Sequence, residues 1–151
     1  MRSLNGQSGF TIIELMLTIV VAGILLGIGV PAMRNMMLTQ DVKTAASDLH
    51  LAMMYARSEA IKRRVNVTIE QKTNGAWASG WDIKASGVAT TLKQREALSG
   101  LTVNVTGIGA NDDVIFNKLG RIGNTGSPVF TVFVTGNNAV RMRCVSLSLS
   151  G

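Results

Sequence analysis

The chain has 151 residues and a formal net charge of +6, with 46% apolar, 5% aromatic and 16% charged residues. That length makes one compact domain plus an anchor. The lone cysteine, Cys144, excludes an intrachain disulfide, and the lone histidine, His50, has no cysteine near it to build a metal site. The pI of about 10.1 permits contact with nucleic acid or anionic lipid without establishing it.

From Phe10 to Val30 the sequence is almost wholly apolar, and Glu14 is the sole charge between Arg2 and Arg34. About 20 such residues span a bilayer as a helix. An ordinary signal peptide is one reading, with small residues at Val30-Pro31-Ala32 for a peptidase. The run is long for that, and a signal peptide has no use for Glu14. A plain single-pass anchor is a second reading, which tolerates Glu14 only because it lies near one end of the span.

Gly9-Phe10-Thr11-Ile12-Ile13-Glu14 explains more. It closely resembles the cleavage motif of type IV pilins and type II secretion pseudopilins. In that family a prepilin peptidase cuts after the glycine and methylates the new N-terminal amine, and a glutamate stands fifth in the mature chain. The resemblance implies a leader over residues 1–9, cleavage and N-methylation at Gly9 and Phe10, and filament assembly through Glu14. A carboxylate buried among apolar helices needs a partner. The family's partner is the N-terminal amine of a neighbouring subunit, a pairing that also sets axial register.

Gly23, Gly27 and Gly29 precede Pro31. They weaken a helix and admit close packing, and proline kinks it. Beyond Pro31, Leu38, Val42, Ala45, Leu49, Ala52, Ala56 and Ala60 recur at three- and four-residue spacing, an amphipathic stripe. Met33, Met36, Met37, Met53 and Met54 widen it and read as core filling or subunit packing. Glu59 and Arg63 are spaced for an i,i+4 pair, and Lys62-Arg63-Arg64 closes the helix. One helix is expected from Phe10 to about Arg63, roughly 80 Å long.

After Arg64 the period becomes two. Val65, Val67 and Ile69 mark a strand; Trp77 and Trp81 flank a turn at Gly80; Leu101, Val103 and Val105, then Val114-Ile115-Phe116, mark further strands. The segments starting at Pro128 and Ala139 read as a hairpin across Gly136-Asn137-Asn138. The apolar parity reverses near Cys144-Val145, so a bulge, a break or a change of buried face is expected there. Asp112-Asp113 reads as a solvated turn and Cys144 as a small buried hydrophobe.

"LAMMYARSEAIKRRVNVTI", "GAWASGWDI" and "VIFNKLGR" resemble the GspH/FimT-type branch of minor pilins and pseudopilins, over most of the chain. The resemblance implies an α+β, type IV pilin-like fold, its long N-terminal helix kinked near Pro31 and packed on an antiparallel β-sheet head. The expected layout is a leader (1–9), a transmembrane or filament-core half-helix (10–30), an amphipathic half-helix (31–64) and a β-rich head (65–151). Expected partners are other pilin or pseudopilin subunits, prepilin peptidase and the inner-membrane assembly platform. Expected location is the bacterial inner membrane, N-terminus cytoplasmic and head periplasmic, then a filament. No catalytic constellation, cofactor or metal site is readable.

The leading expectation is a minor pilin of a type IV pilus, acting in assembly, priming or at the tip. A GspH-type pseudopilin is one alternative. A DNA-binding pilin for natural transformation is another, with Lys118, Arg121, Arg141 and Arg143 as contacts. Arg141 and Arg143, two apart, would share a strand face. DNA-uptake members finish on a Gly-Arg-x-Arg-like tail; this sequence stops at Gly151, where such a tail would begin, which sets DNA binding behind the structural role.

Overall fold

A computed structural model describes residues 9–148 and 150. The chain divides into two units, Met1–Met37 and Leu38–Gly151. One helix, α1 (Ile12–Arg63, 52 residues), contributes to both.

In the first unit the helix continues through Pro31. Proline has no N–H, so the carbonyl four residues back, that of Gly27, loses its helical donor. The apolar side chains of this unit, from Phe10 to Met37, are exposed. An 18-residue window here has a mean hydropathy of 2.5, long and apolar enough to cross a membrane. Methyl groups added at Gly23, Gly27 or Gly29 would meet nothing within 4 Å.

In the second unit the stripe does what its spacing requires. Val42, Ala45, Leu49, Ala52, Met53, Ala56 and Ala60 are buried and join one core with both β-sheets. Of the five methionines, only Met53 fills that core; Met33, Met36, Met37 and Met54 are exposed. Met54 directly follows the buried position 53 and so lies well round the helix from the stripe centre. Glu59 is buried at 7% relative exposure, with Arg63 and Lys62 on its two carboxylate oxygens, as the i,i+4 spacing implied. The Arg63 hydrogen bond holds the Glu59 carboxyl below its usual range. Arg64, at φ +58°, turns the chain out of the helix.

The head contains two antiparallel sheets where the sequence indicated only antiparallel pairing. The first has the order β3 (Lys93–Arg95), β2 (Trp81–Ala85), β1 (Val67–Gln71), β5 (Val114–Phe116). Val67 faces Ala85 and Phe116, and Ile69 faces Ile83 and Val114, so one face is wholly apolar. The second sheet has the order β4 (Thr102–Thr106), β6 (Val129–Phe133), β7 (Arg143–Ser146). Trp77, in a one-turn 3-10 helix (Trp77–Ser79), meets Phe130 of β6 edge-on at 4.8 Å between ring centres. That contact ties the turn before β2 to the second sheet.

The parity change lies earlier than 144–145. Val140 is buried before β7 begins; Arg141 and Met142 lie outside the strand and are exposed. The ladder from Arg143 to Ser146 is then unbroken, with Val145 opposite Phe130. Val145 points inward, so Cys144 must point outward. It is exposed, with Sγ 3.7 Å from Thr131 Oγ1, and is not the buried hydrophobe expected from its composition. Leu149 lies outside the described residues. The 134–142 connection is longer than a tight hairpin and is held by the Asn137 side chain accepting from the Ala139 N–H.

Two backbone segments cross closely where β4 leaves its sheet. A Cβ on Gly107, at φ +84°, would sit 2.0 Å from the Ser127 carbonyl oxygen, and one on Gly126 would sit 1.8 Å from that of Gly107. Gly107→Ala is therefore expected to cost roughly 2–4 kcal/mol. Gly123→Ala, whose methyl would meet Ile115 at 3.4 Å, is expected to cost little. Thermal unfolding of the detergent-solubilised chain checks both, and equal melting temperatures for the two variants would show that the crossing yields.

Candidate functional site

The helix start is built by a cap. Thr11 stands just before α1, and its Oγ1 accepts from the Glu14 N–H at 3.3 Å. The Leu15 N–H donates to the Thr11 carbonyl at 3.2 Å. Thr11 is thus the N-cap and Glu14 the third helical residue, the Thr-x-x-Glu order of a capping box. Gly9 and Phe10 precede the helix and are exposed, so the helix starts two residues later than Phe10. Glu14 is exposed in the first turn, where the helix dipole favours an anion. Thr11 was missed in the sequence, although the Thr-x-x-Glu spacing carried the signal.

The four candidate DNA contacts fall in two pairs. Lys118 and Arg121 lie on the turn after β5, where the Asn117 side chain accepts from the N–H groups of Leu119 and Arg121. That turn approaches the helix end, since a Cβ on Gly120 would meet Ile61 at 2.6 Å and Arg57 at 3.2 Å. Arg141 borders a groove with Phe133, Val134 and Val140, while Arg143 opens β7. Arg143 is three to five residues up the strand from 146–148, the stretch that borders Phe116, about 10–17 Å at strand rise. The expected shared strand face does not form, because Arg141 precedes the strand. Arg143 has the inward parity of Val145, opposite Val132, yet is exposed at the strand's end. An inward-facing charge on an edge strand discourages pairing between sheets.

Asp112 and Asp113 hold a loop. Asp112 Oδ2 accepts from the Gly109 N–H at 2.8 Å, and Asp113 Oδ1 accepts from the Gln71 N–H at 3.1 Å. Burial pushes the Asp113 carboxyl above its ordinary range. Among the described residues no group of three or more His, Cys, Asp or Glu could hold a metal ion.

An apolar, uncovered helix with a capped acidic start, followed by a helix half roofed by antiparallel sheets, defines a membrane-anchored subunit of pilin type. The chain belongs to the family described as type II transport protein GspH, whose model matches residues 45–151. The prokaryotic N-terminal methylation motif matches residues 4–30. Type IV minor pilin FimU of Pseudomonas aeruginosa is similar at 26% identity, over 74% of this chain and 85% of that one, with a TM-score of 0.64. A second crystal form of FimU matches at 22% identity over 72% and 99%, with a TM-score of 0.54. The minor pseudopilin EpsH of the Vibrio cholerae type 2 secretion system matches at 11% identity over 70% and 97%, with a TM-score of 0.48. No curated protein sequence gives a significant match. The chain is therefore a minor pilin or pseudopilin of a type IV pilus or type II secretion system, a structural subunit that assembles with other pilin subunits. Its methylation motif implies prepilin peptidase processing.

Loss of the cap is measurable. Thr11→Ala removes the acceptor for the Glu14 N–H and is expected to cost about 1 kcal/mol locally, or about fivefold faster amide exchange at Glu14. Thr11→Ser, which keeps the hydroxyl, is expected to exchange like the parent. Hydrogen exchange in detergent micelles reads this directly, and an unchanged rate in Thr11→Ala would remove Thr11 as the cap.

Proposed function

We propose that this chain is a minor pilin of a type IV pilus, cut by prepilin peptidase between Gly9 and Phe10 and methylated on Phe10. The observation that carries the reading is the Gly9–Glu14 motif standing at the start of an exposed apolar helix. The likeness to the type IV minor pilin FimU, at 26% identity, favours a pilus over a secretion pseudopilus. In this reading residues 1–9 are the leader and 10–30 hold the subunit in the bacterial inner membrane, N-terminus cytoplasmic. Residues 31–64 continue the helix into the periplasmic head formed by 65–151. The inner-membrane assembly platform then draws the subunit into the filament as an assembly, priming or tip component, with no catalytic role of its own.

Inside the filament the Glu14 carboxylate pairs with the N-terminal amine of a neighbour, since an unpaired charge among apolar helices is costly. Pro31 gives the span a weak point where it leaves the membrane. The alternative is DNA uptake through Lys118, Arg121, Arg141 and Arg143, four exposed cations of the head.

Intact mass of the protein from its native host tests the processing. A chain beginning at N-methylated Phe10 is expected; one beginning at Met33 would replace this reading with a signal peptide. Glu14→Ala tests the pairing. The head should remain folded and the span inserted, because the change makes the span more apolar. The amount recovered in sheared filaments should fall by about tenfold or more, the loss expected for a buried charge pair deprived of one partner. Parental amounts in the sheared fraction would remove the pairing role.

A further inference from the structure

The end of the helix and the turn after β5 meet at one end of the first sheet. Val67 opens β1 opposite Phe116, the last residue of β5, and the two strands run antiparallel. Residues 64–66, arriving, and 117–119, leaving, therefore lie beyond the same end of the ladder. The turn is pinned there. The Asn117 carbonyl accepts from the Gly120 N–H at 2.8 Å, and the Asn117 N–H donates to the Arg121 carbonyl at 2.9 Å. Gly120, at φ +74°, packs so closely on Ile61 that a Cβ would lie 2.6 Å from its Cδ1. Charge here is of one sign. Lys62, Arg63, Arg64, Lys118 and Arg121 are all exposed, whereas the carboxylate nearest them on the helix, Glu59, is buried and already engaged by Lys62 and Arg63. Among the described residues Arg64, Lys118 and Arg121 have no ion pair. Between these cations stand two exposed apolar side chains, Ile61 at 49% and Leu119 at 69% relative exposure.

We infer that this end of the head is an interface for an acidic segment of a different filament subunit, with carboxylates on Arg64, Lys118 and Arg121 and an apolar side chain against Leu119 and Ile61. The inference rests on the filament reading above, which puts other pilin heads beside this one. Three exposed cations without a partner select an anionic one. The apolar pair among them selects a protein segment over a nucleic acid. Protein interfaces set an apolar centre inside a polar rim rich in arginine, whereas contacts to nucleic acid go largely to phosphates. A second copy docked by twofold symmetry would bring the two sets of cations against each other. Position speaks against a membrane surface. The chain from the membrane-crossing stretch enters the second unit at Leu38, about 35 Å of helix before Ile61. The pinned turn holds Lys118, Leu119 and Arg121 in place beforehand, so docking loses little backbone freedom.

Charge reversal is the discriminating change. The double variant Lys118→Glu/Arg121→Glu, expressed as the full-length chain in the native host, should keep the parental melting temperature in detergent, because both side chains are exposed and neither is in an ion pair. Its incorporation into sheared filaments should fall by about tenfold or more, because carboxylates would then face carboxylates. Lys118→Arg/Arg121→Lys, which keeps both charges, should restore incorporation. An apolar photo-crosslinking amino acid at Leu119 of the otherwise parental chain should give an adduct with a different pilin-type subunit, through a peptide containing Asp or Glu, identified by mass. Normal incorporation of the folded reversal variant would overturn the inference, as would an adduct with a second copy, with DNA, with lipid, or with nothing. The parent protein separates the two readings. Its absence from filaments would overturn the pilin reading itself, whereas normal incorporation of parent and reversal variant alike would overturn only this interface.

Discussion

The head depends on one stripe of one helix. Val42, Leu49 and Ala56 are fully buried, and residues of both sheets close over the same stripe to make a single core. Neither sheet could stand alone. The first has four strands, two of them three residues long, and the second has three strands. Small sheets gain stability by packing an apolar face on a helix. The helix supplies that face in small steps, with four alanines among its buried positions, so the bulk of the core comes from the sheets: Trp77, Trp81, Phe116 and Phe130 are its largest members. A low aromatic content is enough because its largest side chains are concentrated there.

The first unit meets the opposite condition. Its side chains are as apolar as a core, and nothing within the described chain covers them. Apolar surface of that extent demands another phase or another molecule. The glycines sharpen the point. Gly23, Gly27 and Gly29 weaken the helix, and among the described residues no neighbour needs the space they leave. The space they leave suits close approach by an apolar helix from outside the subunit, since small residues let such helices pack closely. Exposed Met33, Met36 and Met37 belong to the same accounting: flexible side chains suited to packing against varied partners, not to filling this subunit's own core.

Much of this was legible in residue spacing. The stripe from Val42 to Ala60, the alternation in β1, β4 and β5, and the Glu59–Arg63 pair follow directly from helical and strand periods. What escaped had weak or conflicting local signals. β3 reads Lys-Gln-Arg and has no apolar residue; it is a strand because β2 offers it a ladder, and as an edge it benefits from charge. Cys144 was misplaced because composition favours burial, whereas the register with β6 turns it outward. The division into two sheets depends on which strands β5 and β6 choose as partners, a long-range fact that no local pattern carries. At the helix start the residues were legible and the cap was overlooked, since the cleavage motif occupied the same six positions.

That overlap has a physical reading. A carboxylate near the end of an apolar helix looks like a liability. Yet Glu14 is the third residue of a helix capped by Thr11, where unbonded N–H groups and the helix dipole already favour a negative charge. The position therefore suits an anion in the isolated subunit as well as in a bundle. One turn farther along, the backbone amides would all be bonded and the dipole's local field weaker, so the same carboxylate would be costly before assembly. The spacing from Thr11 to Glu14 thus satisfies two requirements at once: a helix that starts cleanly just beyond the exposed Gly9-Phe10 bond, and a charge that the subunit can carry alone, as the pairing proposed for the filament requires.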